Sequence, residues 1–162
     1  MPTAAGMFER HHLAIYRYLL RMIGSRERAE ELTQDVFLRA IKAANAYEDR
    51  SSERAWLFRI ARNLRLDDAR HAQRTPSLLP VDDAEPSAPA QQALRLSLLQ
   101  ALAMLPDDER EAFVLAEVVG LSYAEAADTC ATTTAAIRSR VYRARMQLRA
   151  TLDMPTAGKP LT

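Results

Sequence analysis

The chain of 162 residues has one cysteine, Cys130, so no intramolecular disulfide can form, and a single thiol fits a reducing compartment. Glycine is scarce at 4 residues and aromatics make up only 6%. Val and Ile are too few for a large sheet. No apolar run is long enough to span a bilayer, which argues against membrane insertion. Met1–Gly6 lacks the basic start and apolar core of a secretion signal, so the chain reads as cytoplasmic. Net charge is only +1, which removes any global basic signal for nucleic acid. The catalytic inventory is equally thin. His11 and His12 are adjacent and face different sides of a helix, so they cannot share a metal. There is no glycine-rich phosphate loop and no Ser/His/Asp set. These absences point to a non-enzyme with no cofactor, no metal and no small-molecule substrate.

What is present is helix-forming. Ala, Leu, Arg and Glu dominate, hydrophobic residues reach 48% and charged residues 27%, the balance of a folded soluble chain. Four of the eight prolines (Pro76, Pro80, Pro86 and Pro89) fall between Thr75 and Ala90, together with Asp82, Asp83 and Glu85 and without Lys or Arg. Residues 75–91 therefore read as an extended acidic linker. At about 3.3 Å per residue it reaches about 55 Å, enough to let its two flanks occupy well-separated sites.

Each flank reads as a small helical domain, 7–74 and 92–152, and the fold class as all-α. In the first, Leu13, Tyr16, Leu20 and Ile23 are spaced for one helix face and Gly24 stops it. Ser25 caps a second helix with Leu32, Val36, Ala40 and Ala44 at i+4 and Phe37 and Ile41 beside them. A third follows Ser51 and Ser52, with Leu57, Ile60, Ala61 and Leu64 as its stripe. In the second flank Leu94, Leu98, Leu102 and Leu105 line one face, and Pro106 opens a helix from Asp107 to Val119 that Gly120 ends. Ser122-Tyr123-Ala124-Glu125 is a capping box before a short helix. A turn with Thr132, Thr133 and Thr134 leads to a last helix striped by Ile137, Val141, Ala144 and Leu148.

The near-zero net charge hides segregation. Pro106–Asp128 holds seven acids and one arginine, a local charge of −6. Thr134–Leu152 holds five arginines (Arg138, Arg140, Arg143, Arg145 and Arg149) and no acid, +5. A capped short helix, a turn and an arginine-loaded helix with an apolar back is the pattern of a helix-turn-helix, whose cations meet phosphates and guanine edges. Glu53–Arg74 holds six arginines against three acids, with Tyr47, Trp56 and Phe58 nearby. Aromatics among cations suit single-stranded nucleic acid.

These residues resemble a known family. Ala55-Trp56-Leu57-Phe58-Arg59-Ile60-Ala61-Arg62-Asn63-Leu64, followed by Asp67 and Arg70, resembles region 2 of the extracytoplasmic-function (ECF) sigma factors of the bacterial sigma-70 family. Ala29–Ala40 is similar to the polymerase-binding helix of that region. Leu105-Pro106, Gly120–Glu125 and Arg138–Arg145 are similar to region 4. The resemblance implies a transcription-initiation factor that docks on core RNA polymerase, at the β′ clamp helices and the β flap. Glu30, Gln34, Asp35, Phe37 and Arg39 would make the clamp contact. Tyr47, Arg50, Ser51, Trp56, Arg59, Arg62, Asn63, Asp67 and Arg70 would hold the melted −10 strand. Ser122, Tyr123, Thr133, Thr134, Ala135, Arg138, Ser139, Arg140, Tyr142, Arg143 and Arg145 would read the duplex −35 element. An anti-sigma factor is the implied regulatory partner, and the acidic linker would run through the polymerase cleft and mimic RNA. The chain departs from the family pattern at Ala126, at Ala131, where a turn glycine is common, and at Ala135-Ala136. Cys130 takes a buried leucine position and reads as a small core hydrophobe. The alternative reading is a stand-alone helix-turn-helix transcriptional regulator, which leaves the Trp56–Arg70 block unexplained.

Overall fold

A computed structural model describes residues 3–44, 52–72 and 88–153. All regular structure among them is helical. Helix α1 (Ala4–Ile23) begins at Thr3, whose hydroxyl accepts from the Gly6 amide, and ends on Gly24 at φ 79°, as the sequence predicts. Helix α2 (Arg26–Lys42) carries the predicted Ser25 cap. Helix α3 (Glu53–Ala72) starts where the Ser52 hydroxyl accepts from the Ala55 amide at 2.9 Å. Helix α4 (Pro89–Ala103) opens with proline in its first turn, so Pro89 starts a helix inside the stretch read as linker. Helix α5 (Asp107–Phe113) runs into a single π-helical turn, Val114–Val118. Helix α6 (Tyr123–Thr129) carries the full capping box, and α7 (Thr134–Asp153) completes the chain's described part.

The faces differ in part from the sequence expectation. Ile137, Val141, Ala144 and Leu148 are all buried on α7, as predicted. On α1 the core side chains are Ile15, Tyr18, Leu19 and Leu20, while Leu13 is half exposed. On α4, Leu99, Ala101 and Leu102 are buried and Leu94 is 67% exposed. The i+4 pattern of α4 tracked Leu94 and Leu98, but the groove it fills is offered by Ala144 and Leu148 of α7, which meet Leu102 and Leu105. Phe37 turns inward at 6% exposure, edge-on to Phe8 at 5.1 Å, which withdraws it from any surface contact.

The two flanks are not separated. One apolar core runs from Leu19, Leu32, Leu57 and Phe58 through Ala112, Leu115, Ala126 and Ile137. Helix α3 lies against α6, and α1 against α5 and the π turn. A 17-residue linker permits separation; the buried apolar surface between the flanks opposes it, at roughly 25 cal/mol per Å².

Candidate nucleic-acid and polymerase interface

Three surfaces carry the predicted residues. The first lies on α2, whose inner stripe of Ala29, Leu32, Val36 and Ala40 is buried. That packing turns Glu30, Gln34 and Arg39 to solvent and leaves Asp35 half-buried. Leu38 and Ile41, each 55% exposed, share this outer surface. The sequence reading places Ile41 beside the core stripe and does not single out Leu38; the position of both off the 32-36-40 repeat is the signal that they face outward. Exposed apolar side chains among charges are an ordinary protein-docking composition.

The second surface is α3. Asn63 and Arg70 are exposed, and Arg70 donates to Asp67 at 2.6 Å. Trp56 is 9% exposed and belongs to the core, so it presents no ring face to a base in this arrangement. Tyr47, Arg50 and Ser51 lie outside the described residues. The arginines are turned towards the second flank. Arg62 donates through Nε to Glu111 at 3.0 Å, and Arg65 donates through Nη2 to the same carboxylate at 2.5 Å. Arg59 approaches Asp128 at 3.7 Å. Arg54 donates to Glu125 at 2.7 Å, and the Ser52 hydroxyl donates to the same carboxylate at 2.6 Å.

Glu111 is the centre of this contact. It is 2% exposed, and the Tyr18 hydroxyl donates to it at 2.7 Å. Burial alone would raise its carboxyl; Arg65, the Tyr18 hydrogen bond and Arg62 outweigh burial and hold it below the usual carboxylate range. Burial and the Glu111 charge push the Tyr18 phenol well up. Burial, then Glu111, pushes the Cys130 thiol up to about 12, so it stays protonated and donates to Glu111 at 3.3 Å. Cys130 is a buried, inert core group, as its position implied. The sequence does not single out Tyr18 or Glu111, marks Glu125 only as the acid of the capping box, and counts Arg54 and Arg65 only among the cations of Glu53–Arg74. Glu111 read as one acid in an acidic helix start, and only its spacing from the later apolar positions marks it as inward-facing. Arg110 was missed as well: at 3% exposure it donates to the carbonyls of Ala103 and Leu105 and to Asp107, closing the end of α4.

The third surface is the helix-turn-helix of α6 and α7. Ser122 accepts from the Glu125 amide and Glu125 accepts from the Ser122 amide, each at 3.0 Å, so the Ser122 hydroxyl is engaged in capping. Thr133 does the same for α7, accepting from the Ala136 amide at 3.1 Å. Tyr123 is half-buried against the core. The turn forms with Ala131 at φ 53°, while the Thr132 amide donates to the Ala127 carbonyl at 3.0 Å. Alanine thus holds the left-handed position that glycine usually takes in this helix ending. Thr134, Ala135, Arg138, Ser139, Tyr142, Arg143 and Arg145 are all exposed, and Tyr142 reaches 64%. The acids of α5 and the π turn hold three arginines from the side: Arg140 approaches Asp108 at 3.8 Å, Arg143 donates to Glu109 at 3.1 Å, and Arg145 pairs with Glu117. Arg138 has no ion-pair partner among the described residues.

Among the described residues, no group of three His, Cys, Asp or Glu side chains is placed to hold a metal, and no helix is long and apolar enough to cross a membrane.

Comparison with known proteins gives a consistent pattern. The family model Sigma-70 region 2 matches residues 7–75, and Sigma-70, region 4 matches residues 95–148. The ECF RNA polymerase sigma factor EcfG of Rhodopseudomonas palustris is 37% identical over 144 residues, covering 83% of this chain and 77% of that protein. The ECF RNA polymerase sigma factor SigE of Mycolicibacterium smegmatis is 36% identical over 158 residues, covering 92% of this chain but 61% of that protein. The chain thus spans less than two thirds of the length of that longer relative. Among solved structures, the sigma factor RpoE in complex with the anti-sigma factor NepR from Bartonella quintana superimposes with a TM-score of 0.74 at 28% identity, over 91% of this chain and 94% of that one.

Proposed function

Because the chain belongs to the ECF RNA polymerase sigma factors of the sigma-70 family, we propose that it binds core RNA polymerase, brings it to a defined set of promoters and helps open them. The observation that supports this reading is an outward-facing Arg138-Ser139-Tyr142 row on α7 together with an arginine-rich α3 in one chain. Helix α7 reads the −35 duplex through the major groove: Arg138 meets a guanine edge and Tyr142 a methyl or sugar face. Helix α3 holds the unpaired −10 strand, with Asn63 on a base edge and Arg59, Arg62 and Arg70 on the backbone. Helix α2 docks on the β′ clamp helices through Glu30, Gln34, Asp35 and Arg39, with Leu38 and Ile41 adding apolar area, while the second flank meets the β flap. The acidic segment ahead of α4 runs through the polymerase cleft and mimics RNA with Asp82, Asp83 and Glu85. No bond chemistry falls to the chain itself; it works in the cytoplasm by binding. An anti-sigma factor regulates it by covering the polymerase-facing surfaces.

Co-purification with core polymerase followed by run-off transcription on a promoter-fragment library tests the reading. Core binding and initiation from a subset of fragments are expected. Duplex binding without core, and no initiation with it, would instead mark a self-standing helix-turn-helix regulator. Within the holoenzyme, Asn63→Ala slows promoter opening; wild-type permanganate reactivity of the −10 strand in that variant would remove Asn63 from the role.

A further inference from the structure

Three arginines of α7 are countered from within their own flank. Arg143 donates to Glu109 at 3.1 Å, Arg145 pairs with Glu117, and Arg140 approaches Asp108 at 3.8 Å. Arg140 and Arg143 stand one residue before the buried positions Val141 and Ala144, and Arg145 stands one residue after Ala144. At about 100° per residue this puts the two groups on opposite edges of the helix, with the exposed Arg138-Ser139-Tyr142 row between them. A helix lying in the major groove has a phosphate strand along each edge, while its N-terminal end meets the bases. The acids therefore stand where the phosphates would lie. Arg138, seven residues before Arg145 on the same edge, has no acid partner among the described residues. Helix stability explains only some of these acids. Asp108 and Glu109 sit in the first turn of α5, where the helix dipole favours carboxylates. Glu117 lies in the π turn that ends the same helix, where the dipole disfavours an anion, and what holds it there is Arg145.

We infer that Glu109 and Glu117 are positioning residues that set the stringency of promoter choice without touching DNA. By holding Arg143 and Arg145 at the two edges of α7 they keep attraction to the DNA backbone low, so that −35 affinity rests on the bases. The inference rests on the assignment of α7 to the −35 duplex. Attraction to phosphates is blind to sequence, so every duplex gains from it. Sites without the element far outnumber sites with it, and a uniform gain therefore costs selectivity. A cation already paired with a carboxylate adds little to counterion release on DNA, whereas each freed arginine adds about 0.9 to the salt slope. Exposed ion pairs are individually weak, so the acids temper the two arginines without locking them away. Arg143 and Arg145 are more than half exposed and stay within reach of a phosphate once their acids are neutralised.

The test measures holoenzyme affinity for a promoter fragment chosen by run-off transcription, and for the same fragment with its −35 element scrambled, across about 50–200 mM salt. Glu109→Gln/Glu117→Gln is expected to steepen the fall of log affinity with log salt by about 2, one unit for each released arginine. At about 0.1 M salt it is expected to bind the scrambled fragment about tenfold more tightly than wild type and to start transcripts from it. Adding Arg143→Gln/Arg145→Gln to that variant should restore the wild-type slope. A purely structural role for the acids, or a bare change of net charge, would leave the gain in place. An unchanged slope, an unchanged affinity for the scrambled fragment, or a gain that survives loss of the two arginines overturns the inference. If the wild-type holoenzyme initiates from no fragment, the proposed function fails, and anisotropy of the full chain on a labelled duplex then reads the same slopes without polymerase. Should Glu109→Gln lose helical circular dichroism, Glu117→Gln with and without Arg145→Gln carries the comparison, with an expected slope change of about 1.

Discussion

Helices α3 and α7 are both 20 residues long and both rich in arginine, yet they spend their cations differently. On α3 the acids that engage Arg54, Arg59, Arg62 and Arg65 lie in the other flank. On α7 the acids that engage Arg140, Arg143 and Arg145 lie in the same flank, and they stand beside the helix, leaving its outward row uncovered. Local charge counts treat the two helices alike. What separates them is where the compensating carboxylate sits. A pair within one flank steers a side chain and survives any rearrangement of the flanks. A pair between flanks lasts only while they touch, so it reports and resists their separation.

The sharpest way to break this comparison is to remove Glu111. Glu111→Ala leaves Arg65 buried with only the 3.4 Å contact to Asp107 and the Tyr18 hydroxyl. Breaking one partner of a buried ion pair costs about 3–5 kcal/mol, and the remaining Asp107 contact puts this case near the lower end. Because the core is continuous across the flanks, wild type should unfold in urea as one transition. Glu111→Ala should lower the midpoint and split the transition in two. A single transition with an unmoved midpoint would show that the carboxylate is not what joins the flanks.

A second contrast lies within α7. Arg138 is exposed and without an acid partner among the described residues, whereas Arg145 must leave Glu117 before it can reach DNA. Arg138→Ala should cost the holoenzyme about 1–3 kcal/mol of promoter affinity, the range of one good arginine–guanine contact. Arg145→Ala should cost less, and Glu117→Gln should recover affinity by releasing Arg145. Equal losses for the two arginines in a holoenzyme shift assay would mean that the Glu117 pair does not restrain Arg145.

Acid tests the same division with a smaller effect. The Glu125 carboxyl is lowered from 4.5 to about 2: burial opposes the shift, and Arg54, Ser52 and the Ser122 amide drive it. A depressed carboxyl contributes stability that is fully present above its unfolded value and is lost as pH falls through the folded one. The Arg54 partner is 37% exposed, so solvent screening reduces the contribution to about 1 kcal/mol. Wild type should therefore lose its advantage over Glu125→Gln between about pH 4.5 and pH 2. Denaturation midpoints that run parallel over that window would remove Glu125 from the contact.

Much of this was legible in the sequence where one residue decides one local event. Gly24, Ser25 and the Ser122–Glu125 box set helix ends, and the α7 stripe set its buried face, because capping and 3.6-residue periodicity act within a few residues. The all-helical class followed from composition. The family resemblance carried the site assignments, and solvent faces Glu30, Gln34, Arg39, Asn63 and Arg138 among those residues. The contact between flanks was not legible. Tyr18 and Glu111 are separated by 93 positions, and the local spacing that turns Glu111 inward says nothing of which donors it meets there. Phe37 and Leu38 show the same limit in reverse, since neighbours of similar character point opposite ways once α1 packs on α2.

The smallest effect concerns the helix-turn-helix itself, at the position where the chain departs from its family. Ala131 sits at φ 53° with the Ala131 and Thr132 amides donating to Asp128 and Ala127. A side chain in the left-handed region costs about 1–2 kcal/mol, because Cβ crowds the following carbonyl. Glycine removes that strain but loses about 0.5–1 kcal/mol through the larger freedom of its unfolded chain. Ala131→Gly should therefore gain about 0.5–1 kcal/mol, or about 2 °C in melting temperature for a chain of this size. The gain belongs to the second flank alone, so it should persist in the Glu111→Ala background, confined there to one of the two transitions. A gain that vanishes in that background would tie the turn to the contact between flanks, and an unchanged melting temperature would mean that the turn carries no strain for glycine to relieve.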